Sequence, residues 1–125
     1  MEPKNRPKDV VFSYISALDN QEYDRALGNL HENVRITGPA GESFGKPLDF
    51  IEMLRNYRGK YDIKKVFADH EDVCVLYDLT TKGPTVYMCS WYQVKNGRIT
   101  SIRTVFDPRA FGPPPGNQPG RSGAG

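Results

Sequence analysis

From residue 72 to residue 107 three stretches rich in β-branched and aromatic side chains are apolar at both odd and even positions. Residues 72–79, 85–94 and 98–107 are separated by Lys82-Gly83-Pro84 and Lys95-Asn96-Gly97, the pattern of an antiparallel meander. A two-residue turn at Lys82-Gly83 and a three-residue loop at 95–97, closed by Gly97 in the left-handed conformation, set its register. That register pairs Val94 with Arg98, Val86 with Phe106, Met88 with Thr104 and Ser90 with Ile102, and brings Val73, Val75 and Tyr77 onto the same face. The other face carries Cys74, Leu76, Asp78, Tyr87, Cys89, Trp91, Arg103 and Val105, with Asp78 opposite Tyr87. Side chains alternate between the faces of a strand, so a sheet apolar on both sides needs cover on both. The protein's own helices can cover one; the other points to a partner.

The first half of the chain supplies those helices. Pro7 suits a first helical turn and Asp9 is well placed against the helix dipole, after which Val10, Val11, Tyr14, Ile15 and Leu18 form a helical stripe. Asp19-Asn20-Gln21 interrupts it, and a second short helix turns Tyr23, Leu27 and Leu30 inward. Val34–Thr37 reads as a short strand ending at the turn cluster 38–41. Pro47 opens a third helix with Phe50, Met53, Leu54 and Tyr57 on one face, and 61–68 reads as a further strand. Helices first and strands afterwards predict an α+β fold: a curved antiparallel sheet with helices on its concave side. The expected domain is 1–107, followed by a disordered tail over 108–125 that holds five of the ten prolines and five of the twelve glycines.

Charge narrows the partners. The chain has 17 Lys and Arg against 15 Asp and Glu, and setting aside Arg109 and Arg121 of the tail leaves the body formally neutral. A neutral body gives no electrostatic case for nucleic acid or an anionic membrane. The charged start lacks the apolar core of a signal peptide and no run reaches the length of a membrane span, so the default location is the cytoplasm. There Cys74 and Cys89 are expected as buried free thiols, although their neighbouring strands leave a disulfide conceivable. No phosphate loop, nucleotide fingerprint or Ser-His-Asp signature is present, and His31 and His70 without spaced cysteines predict no metal site and no cofactor. Asp69-His70-Glu71-Asp72 reads as a solvated turn and His31 as a helix C-terminal residue.

The layout, with Tyr14-Ile15 in the first helix, Thr37-Gly38-Pro39-Ala40-Gly41 after the first strand and 96–100 to Phe106-Asp107 in the last hairpin, resembles the nuclear transport factor 2-like superfamily over roughly residues 8–111. The resemblance implies a conical, cystatin-like α+β barrel with a deep apolar pocket, usually dimeric through the outer sheet face. It does not imply one reaction. Against ketosteroid isomerases, Tyr14 falls on the oxyanion-hole tyrosine, Gly38 on the carboxylate base and Ser90 near the protonated aspartic acid. Against limonene epoxide hydrolases the end of the chain matches, but Thr104 stands at the catalytic aspartate and the rest of that machinery falls at Arg35, Thr37, Val73 and Glu71. Asp107 matches a family aspartate beyond the catalytic one, where it caps the turn into Pro108-Arg109.

The expected cavity face therefore carries Tyr14 as candidate oxyanion donor, with Ser90, Thr104, Thr37 and Tyr77 as further hydroxyls. Phe50, Met53, Tyr57, Val75, Val86, Met88, Ile102 and Phe106 surround them as ligand-binding residues. Such a face offers donors for a carbonyl or enolate and no carboxylate base. Tyr14 can equally be a core residue whose hydroxyl reaches backbone or water. Two functions stay open. One is a pocket protein that binds or transforms a hydrophobic carbonyl-bearing ligand such as a polyketide or steroid-like compound. The other is a non-enzymatic interaction module whose cone is filled by its own aromatics. An epoxide hydrolase or ether cyclase would require Asp78 or Asp107 in the pocket. In each reading Leu76, Tyr87, Cys89, Trp91 and Arg103 are the expected homodimer surface.

Overall fold

The computed structural model describes residues 6–111. It comprises α1 (Pro7–Asp19), α2 (Tyr23–Gly28), β1 (Leu30–Thr37), β2 (Ser43–Phe44), α3 (Pro47–Tyr57), β3 (Lys60–Asp69), β4 (Asp72–Thr80), β5 (Thr85–Lys95) and β6 (Arg98–Val105), then a 3-10 turn at Pro108–Phe111. The strands form one open sheet in the order β2-β1-β6-β5-β4-β3. It is antiparallel except where β1 lies parallel to β6. Three helices and a curved, unclosed sheet make this an α+β fold.

Pro7 sits in the first turn of α1, where the missing N–H costs no hydrogen bond. The helix then buries Val10, Val11, Tyr14, Ile15, Ala17 and Leu18, and Gln21 at φ 61° ends it. Leu30 belongs to β1, not to the second helix as the hydrophobic spacing predicts, because its backbone is committed to the sheet beside Ile99. His31 accordingly lies in β1, where its Nδ1 accepts the Asn33 N–H at 2.9 Å.

β4 and β5 follow the expected register, with Val75 opposite Ser90, Tyr77 opposite Met88 and Asp78 opposite Tyr87. The next hairpin differs. Asn96 and Gly97, at φ 51° and 81°, form a two-residue turn with Lys95 opposite Arg98. The register then shifts once more between Gln93 and Val94, so that Ser90 pairs with Thr104 rather than Ile102, and Trp91 with Arg103 rather than Ser101. Two single-residue shifts add to two, the period of a strand. From Ser101 to Val105 the pairs move while the side chains keep their face; nearer the turn only the first shift applies, so Ile99 rather than Arg98 lies buried opposite Val94.

The alternation is clean in β4 and β5. Val73, Val75, Tyr77, Leu79, Val86, Met88, Ser90, Tyr92 and Val94 are buried, while the intervening residues are half-buried or exposed. On the outer face Tyr87, Trp91 and Val105 are exposed by 58%, 42% and 57%, large values for apolar side chains on a central sheet. Cys74 and Cys89 are free and half-buried there, rather than fully buried. Residues 108–111, read from composition as the start of a disordered tail, instead form the 3-10 turn. Asp107 accepts the Arg109 N–H at 3.0 Å, and Phe111 packs at 5.4 Å between ring centroids against Phe106. The remaining tail, 112–125, lies outside the described residues.

Among the described residues no helix is long and apolar enough to cross a membrane.

Candidate functional site

The concave face of the sheet, α1, α3 and the 3-10 turn enclose a cavity of about 310 Å³. α1 contributes Tyr14 and Leu18, and α3 contributes Phe50, Met53, Leu54 and Tyr57. The sheet supplies Tyr77, Met88, Ser90, Tyr92, Ile102 and Thr104, and the chain's last described turn closes the rim with Phe106, Pro108 and Phe111. Thr37 completes the set of expected residues that meet here. Val75 and Val86, also expected in the lining, share the face but are buried within the core cluster and do not line the cavity. A broader groove of about 790 Å³ beside β1 and β2 is more open and has no converging hydroxyls comparable with the enclosed one.

Polar chemistry inside the cavity is built on one chain of hydroxyls. Tyr77 Oη and Ser90 Oγ are 2.8 Å apart, and Ser90 Oγ and Thr104 Oγ1 2.9 Å. The second contact exists because the hairpin's double shift sets Thr104 directly opposite Ser90. Ser90 is 1% exposed and fully partnered, as a buried hydroxyl must be. Tyr14 is equally buried and meets Tyr92 edge-to-face at 6.0 Å between centroids. Tyr14 lines the cavity, and its hydroxyl takes no part in the side-chain hydrogen bonds among the described residues, such as those joining Tyr77, Ser90 and Thr104.

Burial decides the ionisation of this cluster. It pushes Tyr77 up to about 12, against the opposing pull of its Ser90 hydrogen bond, and holds Tyr14 and Tyr92 above the ordinary phenol value. Near neutral pH all three are neutral donors, unfit as bases.

The sequence pattern leaves several lining residues unforeseen. Tyr92 was available from alternation alone, being two residues beyond Ser90. Tyr61, Leu79 and Ile36 come from strand ends, Phe44 from the short β2, and Phe111 from the segment read as tail. The most consequential is Glu42, which lies in the turn between β1 and β2 and brings a carboxylate to the lining. A β-carbon on Gly38 would overlap that carboxylate, so the missing side chain at 38 is what leaves it room. Asp78 and Asp107 stay outside: Asp78 is near Lys64 at 3.7 Å, and Asp107 is paired with Arg109 at 2.9 Å. The acids an epoxide hydrolase or ether cyclase reading would need are therefore not in the cavity.

No curated protein matches the chain. Among solved structures, an NTF2-like protein of unknown function from Cytophaga hutchinsonii is 29% identical with a TM-score of 0.81, over 89% of this chain and 98% of that one. An LEH-like epoxide hydrolase from M. tuberculosis is 21% identical with a TM-score of 0.66, over 81% of this chain and 82% of that one. A de novo designed protein with a curved β-sheet is 22% identical with a TM-score of 0.73, over 87% and 96%. The last two likenesses concern the fold alone. The SnoaL-like domain matches residues 11–102, and with this architecture the chain belongs to the SnoaL-like family of the nuclear transport factor 2-like superfamily.

Proposed function

We propose that the protein binds a hydrophobic, carbonyl-bearing small molecule in the enclosed cavity, in the manner of the isomerase and cyclase branches of its superfamily. The observation that carries this reading is Tyr14, a buried tyrosine lining a cavity of about 310 Å³, whose hydroxyl has no side-chain hydrogen-bond partner among the described residues. That volume is at the lower end of small-molecule sites, and a space of this size speaks against a cone filled by its own aromatics. Tyr77, Ser90 and Thr104 satisfy one another, so the free donor is the one to meet a ligand oxygen.

Titration with 2-tetralone, a bicyclic ketone, and with tetralin, its hydrocarbon counterpart, followed by NMR shifts of cavity residues, tests this. Tyr14→Phe is expected to weaken the ketone by up to about tenfold, the worth of one hydrogen bond, and to leave tetralin unchanged. Equal losses for both compounds would assign Tyr14 to packing alone.

The outer face supports a second reading, a homodimer through Leu76, Tyr87, Cys89, Trp91 and Arg103. Its support is the exposure of Tyr87 and Trp91 on a contiguous apolar surface. The expected result is a dimer in sedimentation at micromolar concentration that Tyr87→Lys with Trp91→Lys converts to a folded monomer. A monomeric wild type would remove the reading.

A further inference from the structure

We infer that Glu42 is the general base of the cavity and that Gly38 exists to seat it. The inference rests on the preceding reading that a carbonyl ligand binds against Tyr14. Among the described residues that line the cavity, Glu42 is the only one with an acidic or basic side chain. Its place is built by the turn it closes. The Gly38 N–H donates to the Glu42 carbonyl at 2.8 Å, the Gly41 N–H donates to the Gly38 carbonyl at 3.1 Å, and Gly41 at φ 86° takes a conformation that few other residues accept. The Ala40 N–H then donates to Glu42 Oε1 at 2.9 Å. Oε2 accepts no hydrogen bond among the described residues and occupies the space that a side chain at 38 would fill.

One carboxylate oxygen is thus pinned by an amide and the other left free, at the rim of a cavity whose interior hydroxyls are all poor bases. Such a division of labour suits proton abstraction next to a carbonyl. The Glu42 carboxylate takes the proton from the carbon adjacent to the carbonyl, and the C–H pair becomes the new C=C bond. The carbonyl π pair moves onto oxygen, where the Tyr14 O–H stabilises the enolate. The glutamic acid returns the proton to carbon or exchanges it with solvent, which its exposed position allows. No oxidant or co-reactant is required.

Deuterium exchange at the activated CH₂ of 2-tetralone in D₂O, followed by NMR, tests the assignment. The wild type is expected to exceed the buffer rate, and Glu42→Gln, which keeps an acceptor for the Ala40 N–H, to lose about 100-fold or more of that acceleration while still binding the ketone. Gly38→Ala is expected to lose a comparable factor with the carboxylate present but displaced. Gly38→Asp combined with Glu42→Ala, which clears the overlapping side chain, returns a carboxylate to the same space and is expected to recover exchange. If 2-tetralone moves no cavity resonance, the ligand reading and this one fall together. If it binds but Glu42→Gln exchanges as fast as the wild type, or the wild type no faster than buffer, Glu42 is not the base and the ligand reading stands.

Discussion

Raising the pH from 10 toward 12 is expected to unfold the protein cooperatively, with tyrosinate absorbance and loss of far-ultraviolet circular dichroism rising together. Tyr14, Tyr77 and Tyr92 are buried within one cluster, and burial holds each phenol above its ordinary ionisation range, Tyr77 at about 12. The half-buried Tyr61 is raised by the same cause. In the unfolded chain a tyrosine ionises near pH 10. The unfolded state therefore releases its protons first as pH rises. The stabilisation linked to these groups is complete below pH 10 and is lost between pH 10 and the folded-state values. Each fully buried tyrosine gives a slope of roughly 1.4 kcal/mol per pH unit, and three acting together roughly 4. By pH 12 the summed loss is about 8 kcal/mol, comparable with a typical total stability of about 5–15 kcal/mol, so the fold is expected to give way in this interval. The clustering sharpens the transition, because ionising Tyr77 raises both Tyr14 and Tyr92 further. Tyrosinate formation complete by pH 11 with the dichroism intact would overturn this account, since the hydroxyls would then be ionising in place.

Ile51→Ala is expected to cost about 2–5 kcal/mol of stability, the range for truncating a fully buried Ile. Ile51 is 1% exposed and is the one buried residue of α3. Its neighbours Phe50, Met53, Leu54 and Tyr57 face the cavity and are less buried. Ile51 is the main anchor of the helix that covers the site, with Phe50 and Leu54 packing partly against the core beside it, and Arg58 at φ 50° ends the helix abruptly before β3. Urea unfolding measures the loss. Ligand at 100 times its Kd is expected to return about 2.7 kcal/mol by mass action. A loss below about 1 kcal/mol would mean that α3 is held by its cavity-facing residues instead.

Much of this architecture follows from local pattern. Alternation in 72–79 and 85–94 predicts which residues of β4 and β5 face inward. It survives a misread turn, because Asn96-Gly97 and the later shift together displace β6 by two residues, a full strand period. Had only one shift occurred, Thr104 would have faced outward and the Tyr77-Ser90-Thr104 chain could not form. The helical stripe at Val10, Tyr14 and Leu18 likewise predicts α1. Where local pattern competes with the sheet it loses: Leu30 continues the apolar spacing of α2, yet pairing with β6 draws it into β1.

The cavity's edges are less legible. Phe111 lies between Pro108 and Pro113, in a segment whose composition otherwise belongs to the tail, and only its contacts with Phe106 and Tyr57 show that it closes the site. Val75 and Val86 satisfy the alternation yet line nothing, because alternation specifies a face and not what covers it. Glu42 has no periodic signature at all.

The α+β class, the inward and outward faces of β4 and β5 and the place of Tyr14 in α1 are legible because each depends on spacings of two or 3.6 residues along one element. Tertiary structure alone decided the cavity's volume, the partner of each hydroxyl and the entry of the Glu42 carboxylate. Those depend on where a turn folds back and which side chain is absent beneath it. A glycine at 38 looks like the loss of a carboxylate until the fold shows Glu42 in the space it leaves.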